Sequence, residues 1–474
     1  MTESIGSFDW PLCFEAERLL RGHVDAFVGA NKEACRLAVA MRATTGTDFF
    51  EWVDHLVVNA EHVPALRAAG LIEEKAAGPA GGRVFWHPRA MLPRVVVPPA
   101  GQCSGGAVAT PGEAAGVAPV PLALAIRLES LEDFLLAQGL EVAIEGGLGA
   151  GLRQARVSGG GAGPAEFFAV ERLGYRGWVV TEPTAARVRG VERARKLWRT
   201  RARDFSTDEA GLAHAWGQLE AVFESVDRDV ACDLFFAEER RFWESRNRAA
   251  QIQKRRQDRL GLGWGNHDHH TFRSSRALFP DLMAFLEKLG FVKRERFYAG
   301  AEAGWGAQIL EQAEAGIVVF ADVDLMPDET TIDFSAQRLA EAPRLGTVGL
   351  WCGLHGDSFL QAGMHHLEAR FDFGALREQL SAEGVNTMRP FSDFDFLRQA
   401  FTEGERWAVE ASRVARLCER ALVTAEQANG FLRGGAIGSH LENLQRKGGF
   451  KGFNQKSVSA IIAATDPRMM QGAH

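Results

Sequence analysis

The apolar positions change period along the chain. From Phe14 to Ala43 they recur at helical spacing, and residues 1–45 are predicted helical. FFEWVDHLVV (49–58) is dense in aromatic and β-branched residues and predicts a strand. A short helix (62–71), a strand (121–128), a helix (130–140) and a strand (167–180) follow. The Gly-, Ala- and Pro-rich stretch 98–121 predicts a surface loop. Residues 184–260 are long, charged and helical. Their Arg-rich runs are interleaved with Glu and Asp, which predicts a solvated face rather than a nucleic-acid surface. From 262 the texture of strands and loops returns. Strands are expected at 264–275, in VKRERFYAG, GWGAQIL and GIVVFADVDL, at 364–373 and at 414–423. Helices are expected at 277–291, in GALREQLSAEGV, and after a Thr424 cap.

The two ends share one order of elements. VDHLVVNAEHVPALRAAGL matches HDHHTFRSSRALFPDLMAFLEKLGF, PLALAIRLESLEDFLLAQGL matches MHHLEARFDFGALREQLSAEGV, and VERLGYRGWVV matches LCERALVTAEQAN. The dyad Asp54-His55 recurs as Asp268-His269, Arg127 as Arg370, and Glu171-Arg172 as Glu419-Arg420. Such matches in one order indicate a duplication. At the positions where chemistry would sit, the first copy has His55, Ala123 and Glu171, and the second has His269, His366 and Glu419. The first copy therefore reads as degenerate and the second as active. The expected domains are 1–183, a helical connector at 184–260, and 261–474.

Composition narrows the function. The chain has 474 residues, with 54 basic and 61 acidic side chains, net −7. Nucleic-acid and membrane-surface binders need excess positive charge, so neither partner is expected. No apolar run reaches the roughly 18 residues of a membrane span. No basic stretch followed by an apolar run opens the chain, so no secretory signal is expected. The six cysteines are scattered without a C-x-x-C pair, which suggests free thiols in a cytoplasmic protein.

Histidine carries the chemical signal. Six of the 13 histidines lie between 267 and 366. On a strand, alternation places His267, His269, Thr271 and Arg273 on one face, and His366, Glu368 and Arg370 on one face. Each strand then pairs a metal-binding imidazole with an arginine four residues on, able to grip a carboxylate bidentately. Two histidines and one carboxylate form the facial triad of non-haem Fe(II) oxygenases. His269 and His366 are the expected imidazoles. Glu419 is the expected carboxylate, with Glu426 and Glu368 as rivals. Asp322 and Asp324 could also share a strand face and hold Mg²⁺ or Ca²⁺, but a strand end running into a Pro-containing turn is the preferred reading.

These residues resemble the 2-oxoadipate dioxygenase/decarboxylase family of the vicinal-oxygen-chelate (glyoxalase-like) superfamily. The resemblance lies in Asp268-His269-His270-Thr271-Phe272-Arg273, in His365-His366-Leu367-Glu368-Ala369-Arg370, in Glu419 ahead of Ala421-Leu422-Val423-Thr424, and in the tail GGFKGFNQKSVSAII (448–462). It covers residues 262–465 and departs from the family at His365, where Asn is usual, and at Glu368, which replaces a Thr. It implies an α+β fold of tandem glyoxalase-like βαβββ domains joined by helices. It also implies Fe(II), with Mn, Zn or Ni as substitutes, on His269, His366 and Glu419, and Arg273 on the substrate carboxylate with Arg370 beside it. The reaction implied takes a 2-oxo dicarboxylic acid and O₂ to a 2-hydroxy acid and CO₂, as in lysine catabolism. Two rival classes share the scaffold: a metal-dependent isomerase, lyase or hydrolase, and a non-catalytic small-anion-binding protein.

Overall fold

The computed structural model describes residues 10–76, 78–99, 120–158, 165–454, 466 and 468. Helices α1 (Phe14–Ala30) and α2 (Lys32–Thr45) open the chain. Leu20, Val24, Phe27, Leu37 and Met41, spaced three or four apart within each helix, are their buried positions. Asn31 caps α2, its side chain accepting the backbone N–H of Glu33 and Ala34.

The first half holds two βαβββ units. One is β1 (Val53–Val57), α3 (Val63–Ala68), β2 (Ile72–Glu73), β3 (Arg83–Trp86) and β4 (Arg94–Val97). The other is β5 (Ala123–Leu128), α4 (Leu131–Gln138), β6 (Ile144–Glu145), β7 (Leu152–Ser158) and β8 (Glu166–Arg172). They merge into one sheet of order β2-β3-β4-β1-β5-β8-β7-β6, with β1 and β5 antiparallel at its centre.

Four helices follow: α5 (Ala185–Arg199), α6 (Asp208–Phe223), α7 (Arg228–Glu244) and α8 (Arg248–Asp258). They are not a solvated appendage. Phe235 and Phe236 of α7 pack their rings 6.2 and 5.7 Å from Phe272 of the second sheet. Several of the arginines pair internally: Arg201 donates twice to Glu239, both nearly fully buried, and Arg199 twice to Glu238.

The second half repeats the plan: β9 (His267–Arg273), α9 (Phe279–Lys288), β10 (Val292–Tyr298), β11 (Trp305–Gln312), β12 (Ile317–Asp324), then α10 (Thr347–His355). After it come β13 (His366–Arg370), α11 (Phe373–Ala382), β14 (Ser392–Phe394), β15 (Leu397–Phe401), β16 (Glu405–Trp407), α12 (Ala411–Glu419), α13 (Ala425–Gly434) and β17 (Ala436–Arg446). The order is β10-β11-β12-β9-β13-β17-β15-β14, with β16 also on β17. Strand for strand this is the order of the first sheet. Each half is thus a pair of βαβββ units, where one per half was expected.

Two expectations about local structure change. Residues 414–423 do not form a strand: Val414 and Leu417, one helical turn apart, are the buried face of α12. Thr424 does cap α13, through a capping box with Gln427. The third sequence match also falls, because β8 corresponds by sheet position to β17 and not to the Glu419 segment. Most of the 98–121 stretch, Cys103, and the tail beyond 454 lie outside the described residues, apart from Asp466 and Arg468.

The halves are joined closely. Gln253 donates to the Thr45 carbonyl at 2.8 Å, Arg127 to that of Ala315 at 3.2 Å, and the Cys13 backbone N–H to that of Gly448 at 2.7 Å.

Candidate metal centre

Three adjacent central strands of the second sheet, β9, β13 and β17, supply the site. Register puts His269 opposite Glu368, and Glu368 opposite Glu442. Alternation along β9 turns His269, Thr271 and Arg273 into a small cavity, and His270 away onto Phe236 at 5.0 Å between ring centroids. The register shifts at Asp268, so simple alternation fails there. Asp268 instead accepts the His269 Nδ1–H at 2.9 Å and two N–H groups of Arg446 at 3.3 and 3.1 Å. That bond leaves the Nε2 lone pair of His269 facing the cavity, the orientation a metal-binding imidazole needs.

The second imidazole is His366, whose Nε2 lies 3.5 Å from a Glu368 oxygen and 3.7 Å from one of Glu442. Its Nδ1 lies 2.7 Å from Nδ1 of His365, so one ring donates to the other. His269 Nε2 touches the Glu368 carboxylate. Gln399 of β15 donates to Glu442 at 2.9 Å. Ligand atoms of His366, Glu368 and Glu442 all lie within 4.8 Å of one another.

The electrostatics are those of an electron-rich, dry pocket. Burial raises the carboxyls of Glu368 and Glu442, which hydrogen-bond to each other, because neighbouring buried carboxylates resist ionising together. Burial lowers His269 to about 4 and holds His366 well below its usual value, so both rings are neutral at pH 7. Burial also acts on Asp268, but Arg446 and His269 outweigh it and hold that carboxyl far below the usual range. Two neutral imidazoles with one nitrogen tethered, beside two carboxyls that share a proton, form a donor set that fits a divalent first-row ion.

The raised carboxyls give a stability prediction. An acid whose folded pKa is raised contributes stability that is complete below its unfolded value, about 4.3, and is lost as pH rises through the folded value. The neutral buried imidazoles oppose this up to their unfolded value of about 6.5, so the melting temperature of metal-free protein is expected to fall over the window from about pH 6.5 to about 8. Metal loading should flatten that slope in a thermal melt series. A metal-free melting temperature that climbs over this window would contradict the shared-proton description.

The structure sorts the expected site residues. His269, His366 and Arg273 line one cavity, together with the rival Glu368. Glu419 does not join them: it is exposed on α12 and borders a separate cavity with Arg416 and Arg420. Glu426 is exposed on α13. Arg370 does not line that cavity: it lies two residues beyond Glu368 on β13, whose pairing with β17 runs unbroken from His366 to Arg370. It lines a cavity of about 530 Å³ between the halves, 3.5 Å from Glu51. Asp322 and Asp324 form no cation pair: Asp324 accepts the backbone N–H groups of Gly346, Val348 and Gly349 at the start of α10. The residue that sequence reasoning missed is Glu442. Its signal was present, since His440-Leu441-Glu442 repeats His366-Leu367-Glu368 and pairs with it residue for residue.

The first half keeps the tether and lacks the ligands. Asp54 accepts from His55 at 2.7 Å and from Arg172 at 2.7 and 2.8 Å, as Asp268 does from His269 and Arg446. Across the strands, however, the row His269–Glu368–Glu442 becomes His55–Ala125–Phe168, and His366 becomes Ala123. Trp178 packs on His55 with ring centroids 4.9 Å apart.

No protein-family model matches the chain, and no curated protein matches it. Several solved structures are similar at low identity. A 4-hydroxymandelate synthase variant from Streptomyces coelicolor is 14% identical, covering 72% of this chain and 96% of its own, at TM-score 0.29. A protein named to the glyoxalase superfamily from Ralstonia eutropha is 12% identical, covering 54% and 94%, at TM-score 0.29. Methylmalonyl-CoA epimerase from Mycobacterium tuberculosis is 13% identical, covering 38% and 88%, at TM-score 0.22. At that distance the fold rests on the strand order itself: an α+β chain of tandem glyoxalase-like sheets with helices between them.

Proposed function

We propose that the protein is a metal-dependent enzyme acting on a small 2-oxo acid, and specifically an Fe(II) dioxygenase that releases CO₂ from it. The observation that carries this reading is the convergence of His269, His366 and Glu442 in one buried cavity with Arg273, four residues beyond His269 on the same strand. Glu442 takes the place proposed for Glu419. Fe(II), when bound, supplies the redox chemistry and the open positions for a chelating acid and O₂.

The rest is done by the side chains. Asp268 and Arg446 fix the His269 ring. Gln399 fixes Glu442. Arg273 holds the acid's far end at a set distance from the ligands. Phe297, Trp305, Phe320, Phe391, Phe401 and Phe453 wall the cavity and exclude water. Glu368 holds a proton at its carboxyl beside the ligands.

One observation favours a second reading. Glu368 stands among the other three donors, and a fourth protein ligand would leave fewer open positions. That arrangement suits an isomerase or lyase using Zn²⁺, Mn²⁺ or Ni²⁺ without O₂. Metal content and O₂ uptake, measured on anaerobically Fe(II)-loaded protein mixed with 2-oxoadipate, separate the two. About one iron per chain, with matched O₂ uptake and CO₂ release, is the expected result. Iron bound without uptake across a panel of 2-oxo acids would reject the dioxygenase in favour of the second reading.

A further inference from the structure

Arg273 and Asp322 face each other on neighbouring parallel strands, β9 and β12, and both line the metal cavity. Their side chains are 6% exposed each. Two other buried arginine–aspartate pairs close on one another: Arg446 on Asp268 and Arg172 on Asp54, each through two hydrogen bonds. Arg273 and Asp322 stay apart, with Nε 3.9 Å from the nearer carboxyl oxygen. Among the described residues neither Arg273 Nε nor Asp322 Oδ1 has a hydrogen-bond partner. Trp305 Nε1, His365 Nε2 and Gln399 Oε1, on residues that line the same cavity, have none either. Buried polar atoms left unpaired are costly, and five on residues around one small cavity suit it to a polar ligand.

We infer that Asp322 is a specificity-determining residue: as a carboxylic acid it donates a hydrogen bond to the far carboxylate of a 2-oxo dicarboxylic acid, whose charge Arg273 balances. This rests on the 2-oxo acid reading above. An ionised Asp322 would neutralise Arg273 and repel a second carboxylate. A protonated one leaves the guanidinium charge for the ligand and adds a donor on the other side of it. Burial supports the protonated form, pushing Asp322 up to about 7 against the pull of Arg273. The other charged or titratable groups near this pair are accounted for. Asp324 is held by three backbone N–H groups, Asp466 is paired with Arg468, burial raises the Cys352 thiol, and burial keeps His365 and His366 neutral. The carbon chain of the acid would lie along the aromatic walls.

Calorimetric titration of oxygen-free, Fe(II)-loaded protein tests this, using 2-oxoadipate and pyruvate from about pH 6 to about pH 8.5. For the unaltered protein, 2-oxoadipate affinity should be level below about pH 7 and then weaken towards tenfold per pH unit. Asp322→Asn keeps a donor and cannot ionise. It should bind 2-oxoadipate within about threefold of the unaltered protein at pH 6 and lose that part of the slope. Comparing the two proteins cancels every other titrating group. Asp322→Ala should lose about tenfold or more at pH 6, and pyruvate should bind all three proteins alike. A slope that persists in Asp322→Asn overturns the inference. So does a tenfold gain in 2-oxoadipate affinity at pH 6, which would mark Asp322 as an ionised rival for Arg273. Failure of the 2-oxo acid reading looks different: pyruvate and 2-oxoadipate would both fail to bind while metal is retained.

Discussion

Glu442→Ala is expected to weaken metal binding by more than about 100-fold, beyond the 10–100-fold typical of losing a residue behind a ligand. Glu419→Ala, on an exposed helix end, is expected to leave it unchanged. Competition with a chelator of known affinity reads both. The same change has a second signature. In metal-free protein, Glu442 is a buried carboxyl that shares a proton with Glu368 and accepts from Gln399, so its removal unpairs both. The metal-free melting temperature of Glu442→Ala should therefore fall modestly while the melt stays cooperative, and metal should no longer add to it. A variant that keeps its metal would remove Glu442 from the site. One that loses metal and shows no cooperative melt would point to misfolding instead.

The Asp268–Arg446 pair supports the second large effect. Arg446→Met leaves Asp268 as an uncompensated buried charge, at a cost of about 3–5 kcal/mol. It also frees the His269 ring to reorient, so metal affinity should fall a further 10–100-fold. Arg446 donates as well to the Phe450 and Gly452 carbonyls, so the segment after β17 should loosen. The duplication supplies the control. Arg172→Met breaks the corresponding pair with Asp54, in a half that lacks the ligand row, and should cost similar stability with no change in metal affinity. Denaturant unfolding and metal titration on both variants give the comparison. Equal metal affinity in Arg446→Met and the unaltered protein would mean that the tether does not orient His269.

Much of this was legible in the chain because it is local. Alternation on β9 and β13 put His269, Arg273 and His366 on the faces that line one cavity, and the Asp54-His55 and Asp268-His269 dyads fall on corresponding strands of the two sheets. What failed was long-range. Glu419 was chosen by aligning it with Glu171, but its segment folds as a helix because its apolar residues fall a turn apart rather than two apart. Glu442 sits on a strand buried on both faces, whose neighbours β13 and β15 are settled by sheet closure and not by nearby sequence. Arg370 was assigned by alternation along β13, which gives the face a side chain takes but not how far along the strand the cavity reaches. The splayed Arg273–Asp322 pair depends on the packing of two strands about 50 residues apart in sequence, which no local pattern encodes.

The position of β17 has a consequence for synthesis. It enters the second sheet last in sequence yet lies inside it, between β13 and β15. Just beyond it, the Gly448 backbone N–H donates to Glu17, 431 residues earlier. At about 5–20 residues per second, the first helix waits on the order of tens of seconds for that partner. Until β17 emerges, β13 has an open edge and His269 and His366 have no Glu442. A nascent chain therefore cannot offer the proposed site its full ligand set until residues through Glu442 have left the ribosome.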